Sequence, residues 1–387
     1  MGGRILLSVL IGACFLTGVA TAAEERMSFD AKINGHPVRL ALDTGAELPI
    51  LFRRAAVQLG LKLKEPPKDI KPEPGKVMFA LAERCSLEIG ETTSTLRFAV
   101  VDLPSYIRPK IHGVLGWGGI SHCVVEIRVG SREIEIRSEL ATDVSQWLCW
   151  TVRPDSNCLI AEISENAGKR EAVLIDSGAP GGVHLNSRRW GQWVREHPGR
   201  PSTVSALFSP AAGVYVTEEK WANEVRMGGL VLREVPINDK NVDAQAFVGE
   251  DYGATLGMYA LRQLILLVDA KNGKMYLKTD TSAVTPADYN YNRLGAAFAP
   301  KDATSADLVA HVVEAGPAYE AGIRNSDILL SIDGLDATKW QTDPRVLPLS
   351  RFWSRPAGTK LTLGIMRGAE RVDVAVTLQE IFPGRLP

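Results

Sequence analysis

The sequence lacks a charge excess of either sign. Lysine and arginine number 44 and aspartate and glutamate 45 among 387 residues, a formal net charge of −1. Such a chain has no strong field to draw in a polyanion, which argues against nucleic acid or an anionic membrane surface as partner. Cysteine is scarce, five residues in all, too few for a small disulfide-built scaffold. No two cysteines stand in C-x-x-C spacing, no H-E-x-x-H occurs and the six histidines are scattered, so neither a metal centre nor a cofactor is expected. Glycine (35), proline (22) and tryptophan (8) are well represented, which favours a turn-rich, β-heavy protein over a helical bundle. The length suits two or three domains of about 100–200 residues each.

Residues 1–22 read as a secretory signal: Arg4 supplies the positive start, Ile5–Val19 is mostly apolar, and Ala20-Thr21-Ala22 offers a small-residue cleavage site. The expected location is periplasmic or secreted, the alternative being an uncleaved N-terminal membrane anchor. No membrane span is expected after the signal. Cleavage removes Arg4 and Cys14 and leaves 365 residues with four cysteines. Four cysteines allow three pairings. The turn-like Pro154–Asn157 favours Cys149–Cys158, with Cys85–Cys123 as the second pair; the alternative is four buried thiols.

A repeat fills the next two thirds. Phe29–Leu42 alternates apolar and polar residues around Asn34-Gly35, which reads as two strands and a tight turn. The second strand runs into Asp43-Thr44-Gly45-Ala46. The pattern returns 133 residues later, where strands over Leu159–Ser164 and Ala172–Ile175 run into Asp176-Ser177-Gly178-Ala179. Each copy continues with a short helix (around Phe52–Leu61 and Arg188–Glu196) and a β stretch bent at glycine (Gly90; Gly228-Gly229). Each then has an apolar-apolar-Gly element, Val114-Leu115-Gly116 or Thr255-Leu256-Gly257, and a closing strand–turn–strand, Cys123–Arg137 or Leu264–Lys278. Two copies of roughly 120 residues imply two β lobes from one duplicated plan.

Aspartate, serine, threonine and glycine are turn formers, and one D-[ST]-G is weak. Here each aspartate ends an apolar strand, which delivers a carboxylate into the interior. Two carboxylates about 3 Å apart cannot both ionise and so share a proton. One activates a water and the other protonates a scissile carbonyl oxygen. Asp43 and Asp176 are therefore the candidate catalytic pair. Thr44 and Ser177 can cross-link the two loops, and Gly45 and Gly178 permit the tight turn and leave room for substrate.

These residues, with Leu115-Gly116 and Leu256-Gly257, resemble bacterial retropepsin-like aspartic proteases over roughly residues 27–280. The resemblance implies a mainly β, two-lobed aspartic-protease β-barrel architecture in which one chain supplies both halves of the dyad, in a pepsin-like way. It implies protein or peptide substrates, and the fused halves make a monomer the expected state. Family members often carry Asp or Asn two residues after the apolar-apolar-Gly; here those positions are Gly118 and Tyr259. A β-hairpin flap is implied, with candidate tips at Pro72–Gly75 and Ser209–Gly213.

Thr279–Asn292 is polar and proline-containing and reads as a linker. The run after it pairs Gly316-Pro317-Ala318-Tyr319-Glu320-Ala321-Gly322-Ile323 with Asp327-Ile328-Leu329-Leu330-Ser331-Ile332-Asp333-Gly334, and resembles a PDZ domain, a small α+β module, over about 293–381. That resemblance implies a peptide ligand added as a strand, its carboxylate held by the loop Leu294-Gly295-Ala296-Ala297-Phe298. Pro348 interrupts the segment 344–353 that the groove helix would occupy. The resulting division is a signal (1–22), lobe 1 (23–143), lobe 2 (144–280), a linker (281–292) and the PDZ-like module (293–383). The expected activity is aspartic endopeptidase, the module recognising substrate or regulating. The rival is a catalytically silent scaffold that binds peptides. A trypsin-like enzyme is excluded, since no serine sits in a G-x-S-x-G elbow.

Overall fold

The computed structural model describes residues 27–66, 79–103, 109–154, 156–164, 170–209, 213–239, 252–280, 289–301 and 305–382. The signal segment, the flap tip at Pro72–Gly75, residues 210–212 of the other tip and residues 281–288 of the linker lie outside them. No helix among the described residues is long and apolar enough to cross a membrane.

The chain is mainly β. The first lobe contains β1 (Ser28–Ile33), β2 (His36–Asp43), β3 (Ile50–Phe52), α1 (Arg53–Gln58), β4 (Leu63–Lys64), β5 (Ala80–Ile89), β6 (Thr92–Val101), β7 (Gly113–Gly116), β8 (Val124–Arg128) and β9 (Glu133–Arg137). Asn34 (φ 49°) and Gly35 (φ 79°) turn the first hairpin through the left-handed region, the geometry that matches strand twist. The strand order β1-β2-β7-β3-β6-β5 returns from β5 to β1, a closed six-stranded barrel with β4 on its rim. Alternate residues Leu40, Leu42, Leu51, Val100 and Leu115 fill the main core. Their neighbours Ala41, Ile50, Ala99 and Val114 form a second apolar cluster on the opposite face.

The second lobe repeats the plan with β10 (Leu148–Val152), β11 (Ile160–Ser164), β12 (Arg170–Ile175), β13 (Val183–Leu185), α2 (Ser187–Glu196), β14 (Ser202–Ser209), β15 (Gly213–Met227), β16 (Leu230–Asp239), β17 (Ala254–Leu256), α3 (Met258–Leu261), β18 (Leu264–Asp269) and β19 (Lys274–Thr279). Asn186 caps α2 by accepting from Arg189 N at 3.0 Å. The duplication is visible in the pairing. β2 runs parallel to β7 with Leu42 opposite Leu115, and β12 runs parallel to β17 with Ile175 opposite Leu256. Each Asp-bearing strand is thereby clamped by the apolar-apolar-Gly strand of its own lobe. The hairpin β8–β9 leaves the first barrel and pairs through β8 with β18. After β7 the chain thus passes from the first-lobe barrel into the twelve-stranded sheet of the second lobe.

The C-terminal module contains β20 (Ala296–Pro300), β21 (Leu308–Val312), α4 (Pro317–Glu320), β22 (Ile328–Ile332), β23 (Leu335–Asp336), α5 (Ser350–Trp353), β24 (Lys360–Arg367) and β25 (Glu370–Thr377). Its core, including Phe298, Ile323, Trp340, Trp353 and Leu363, is separate from that of the lobes. The segment 344–353 is helical only over α5, since prolines 344 and 348 withhold the backbone N–H groups a longer helix needs. The module is not loosely strung. Ile381 and Phe382 enter the core of the lobes, where Phe382 meets Trp221 and Tyr291 at ring-centroid distances of 6.0 and 4.7 Å. Asn292 donates to Val204 O in β14 and to Ala296 O in β20, both at 2.7 Å. β20 also packs against β14 and β15.

Two expectations are corrected. Leu294–Phe298 is not one loop: Leu294-Gly295 turns, whereas Ala296, Ala297 and Phe298 lie in β20, paired with β21. The amides of Arg293 and Leu294 are used internally, donating to Trp353 O and Asn292 Oδ1. The disulfides are absent as well: Cys85, Cys123, Cys149 and Cys158 are free thiols. Cys149 is exposed on β10, whereas Cys158 is buried with its Sγ donating to Gly45 O at 3.2 Å. Cys85 is buried in the first barrel, and Cys123 precedes β8, which has left that barrel for the other sheet.

Candidate active site

Asp43 ends β2 and Asp176 follows β12, so both carboxylates arrive at the ends of buried strands and are 1% and 2% exposed. Each loop turns back on its own aspartate. Gly45 N donates to Asp43 Oδ1 at 3.1 Å, while Gly178 N and Ala179 N donate to Asp176 Oδ1 at 2.8 and 3.1 Å. These amides hold each carboxylate in one orientation.

The loops also hold each other. Thr44 N donates to Ser177 Oγ (3.1 Å) and Ser177 N to Thr44 Oγ1 (3.0 Å). The hydroxyls pass the contact on: Thr44 Oγ1 donates to Ile175 O (2.6 Å) and Ser177 Oγ to Leu42 O (3.0 Å). All four bonds cross between the halves of the chain and are buried, where a lost partner is costly. The carboxylates meet across this cross-link. A Cβ on Gly45 would stand 2.5 Å from Asp176 Cγ, and one on Gly178 would stand 2.3 Å from Asp43 Oδ2. Glycine is thus required at both positions by the opposite loop's carboxylate, not by turn geometry.

The strands behind each loop are equally matched. Trp117 N donates to Ala46 O and Met258 N to Ala179 O, at 2.9 and 2.7 Å. Gly116 and Gly257 lie so close to the loops that a Cβ would meet Leu48 O at 2.5 Å and Gly181 O at 2.4 Å. Leu115 and Leu256, one residue earlier, are buried core. Gly118 and Tyr259, two residues past Gly116 and Gly257, are occupied differently. Gly118 backs onto Glu47 O, and Tyr259 joins an aromatic group with Trp221 and Tyr289. Leu159 N donates to Thr44 O at 2.8 Å, so the strand entering the second lobe buttresses the first loop. The eight residues expected around the pair lie in its two loops and, behind them, in β7 and in β17 with the Gly257 that follows it. The C-terminal residues 294–298 lie in the other module and take no part in this cross-link.

Sequence reading missed a set of polar residues beside the second loop: Glu219, Asn238 and Thr255, which are buried, and half-buried His184, whose Nε2 is enclosed. Next to them, burial pushes the Asp239 carboxyl up, against hydrogen bonds from Thr217 Oγ1 (2.6 Å) and Glu218 N (2.8 Å) that pull it down. Laying the second half on the first would have exposed the set, because its counterparts are apolar.

Comparison with known proteins bears on the first lobe. Residues 29–117 match the family described as "gag-polyprotein putative aspartyl protease", a span that contains Asp43-Thr44-Gly45 and Leu115-Gly116. The match is to that segment alone, under a quarter of the chain. Among solved structures, the chain resembles an EIAV protease complexed with the inhibitor HBY-793, with 22% identity over 24% of this chain and 81% of that chain, at a TM-score of 0.19. A superposition that poor says nothing about the fold of the whole chain. No curated protein matches.

Proposed function

We propose that the chain is an aspartic endopeptidase whose dyad, Asp43 and Asp176, comes from one polypeptide. The observation that carries this is the reciprocal bonding of Thr44 and Ser177, which turns two loops 133 residues apart into one rigid unit. In the reaction the two facing carboxylates share one proton. The ionised carboxylate takes a proton from a bound water, which attacks the scissile carbonyl carbon. The protonated one gives its proton to the carbonyl oxygen; the tetrahedral intermediate then collapses as this carboxylate takes a hydroxyl proton back and the other passes the proton it took from water to the departing amine, with no covalent enzyme intermediate. The shared proton belongs to the pair and is assigned to neither residue.

Protein or peptide substrates follow from this chemistry. The hairpin β14–β15 is the second-lobe candidate for a cover over the cleft. We read residues 1–22 as a secretory signal and the enzyme as a periplasmic or secreted monomer. The C-terminal module, PDZ-like in its motifs, is read as a brace and regulator of the second lobe. Support for this is the packing of β20 on β14 and β15, the edge where a strand-adding peptide would otherwise lie. The test is cleavage of a random peptide library: products that vanish in Asp43→Asn support the reading, and products that persist overturn it.

A further inference from the structure

The two lobes share a register, but not a chemistry, on the face that runs from the catalytic loop toward the hairpin. In the first lobe Leu81 lies opposite Ala99, Ala99 opposite Ile50 and Ile50 opposite Val114. In the second, Glu219 lies opposite Asn238, Asn238 opposite His184 and His184 opposite Thr255. Residues directly opposite in a sheet point to the same side. Position by position, an apolar row has become a polar one. The face is the one that meets the catalytic loop, because Ile50, Ala99 and Val114 cluster with Ala46, three residues past Asp43, and with Phe79 at the root of β5. The loop position differs too. Gly181 stands where the first lobe has Leu48, each backing its carbonyl onto the apolar-apolar-Gly glycine.

The polar row is arranged to receive something. Asn238 Nδ2 donates to Glu219 Oε2 at 3.2 Å, and Tyr289 OH donates to the same oxygen at 2.5 Å. Glu219 accepts only, so it fixes the amide with Oδ1 turned away from itself. That oxygen lies 3.3 Å from the point a Cβ on Gly181 would occupy, and His184 Nε2 lies 2.8 Å from the same point. Asn238 is 2% and Thr255 5% exposed, yet Asn238 Oδ1 and Thr255 Oγ1 have no hydrogen-bond partner among the described residues. Buried polar atoms are normally paired, and such atoms call for a ligand. The free acceptor, the hydroxyl and the carboxylate behind them favour a cationic hydrogen-bond donor.

We propose that His184, Asn238 and Thr255, backed by Glu219, form a specificity subsite for a lysine or arginine side chain of the substrate, opposite a first-lobe subsite for an aliphatic one. The inference rests on the endopeptidase reading and names its substrate class. The test is kcat/KM on peptide pairs that differ only in Lys against Leu at each position flanking the scissile bond. Wild type prefers Lys at one position by at least about tenfold. Asn238→Leu and the isosteric Thr255→Val each reduce that Lys/Leu ratio at least several-fold, Thr255→Ser retains it, and all three variants melt cooperatively. A wild-type ratio near one at every position, or a ratio that survives both Asn238→Leu and Thr255→Val, overturns the subsite and leaves the endopeptidase reading intact. Absence of any Asp43-dependent cleavage overturns both.

Discussion

Gly178 and Asp43 touch across the boundary between the two lobes: a Cβ on Gly178 would stand within 2.6 Å of all three outer atoms of the Asp43 carboxyl group. Neither neighbour in sequence explains this contact. It exists because the chain folds its two halves onto a common centre. Gly178→Ala should therefore displace Asp43 and lower kcat by at least about a hundredfold, since misplacements of about 1 Å cost that much. Gly45→Ala should act the same way through Asp176. Peptide-cleavage kinetics check both, with circular dichroism to establish that the variants fold.

The Thr44–Ser177 cross-link makes a separate prediction. Thr44→Val keeps the shape of the side chain but removes the acceptor for Ser177 N and the donor to Ile175 O. Leaving those buried groups unpaired should cost about 1–3 kcal/mol each in stability and should lower activity as well. Thr44→Ser should retain most of both. Urea titration and cleavage rates measured on the same samples separate the two effects.

Much of this centre was legible from the sequence. The apolar strands before Asp43 and Asp176, the Asn34-Gly35 turn and the two apolar-apolar-Gly elements each follow from local pattern. What was not legible depended on pairing between distant strands. The switch of β8–β9 into the second-lobe sheet leaves no local trace, because a strand reads the same whichever neighbour it takes. The row Glu219–Asn238–His184–Thr255 emerges only when four strands are set in register. Cys149 and Cys158 flank a turn, but their side chains are placed by different demands, one in solvent and the other beneath Gly45.

The thiols give a simple check. With all four described cysteines free, alkylation under denaturing, non-reducing conditions should modify each of them. In the native protein Cys149 should react first. Cys85 and Cys123 should lag, because burial pushes their thiols up and depletes the reactive thiolate. Mass spectrometry of the labelled peptides reads the order; a Cys149–Cys158 crosslink in the unreduced protein would contradict it.

The C-terminal tail is predicted to stabilise the second lobe. Phe382 is 3% exposed among aromatic rings contributed by Trp221 and Tyr291. Phe382→Ala should cost about 3–5 kcal/mol. Hydrogen exchange should locate the loosening in β14 and β15, beyond the module that carries the substitution.

One pH dependence can be signed. Burial opposes ionisation of Asp327, but the Arg367 guanidinium and the Arg324 amide outweigh it and hold the carboxyl below its ordinary 3.8. A carboxyl lowered in the folded state adds stability above its unfolded value and loses it as pH falls through the folded one. Arg367→Met should therefore destabilise the C-terminal module at pH 7 by about 1–3 kcal/mol, less than for a fully buried pair because Arg367 is half exposed. The difference from wild type should shrink as pH drops below 3.8. Thermal melts across that range test it.

The central claim is that one chain supplies both carboxylates of a single dyad. The most direct measurement is the peptide-cleavage rate of Asp43→Asn, of Asp176→Asn, and of their equimolar mixture. The account predicts that each variant loses at least about a thousandfold in rate and that the mixture stays as inactive as its parts. Full activity in either variant, or rescue on mixing, would contradict it.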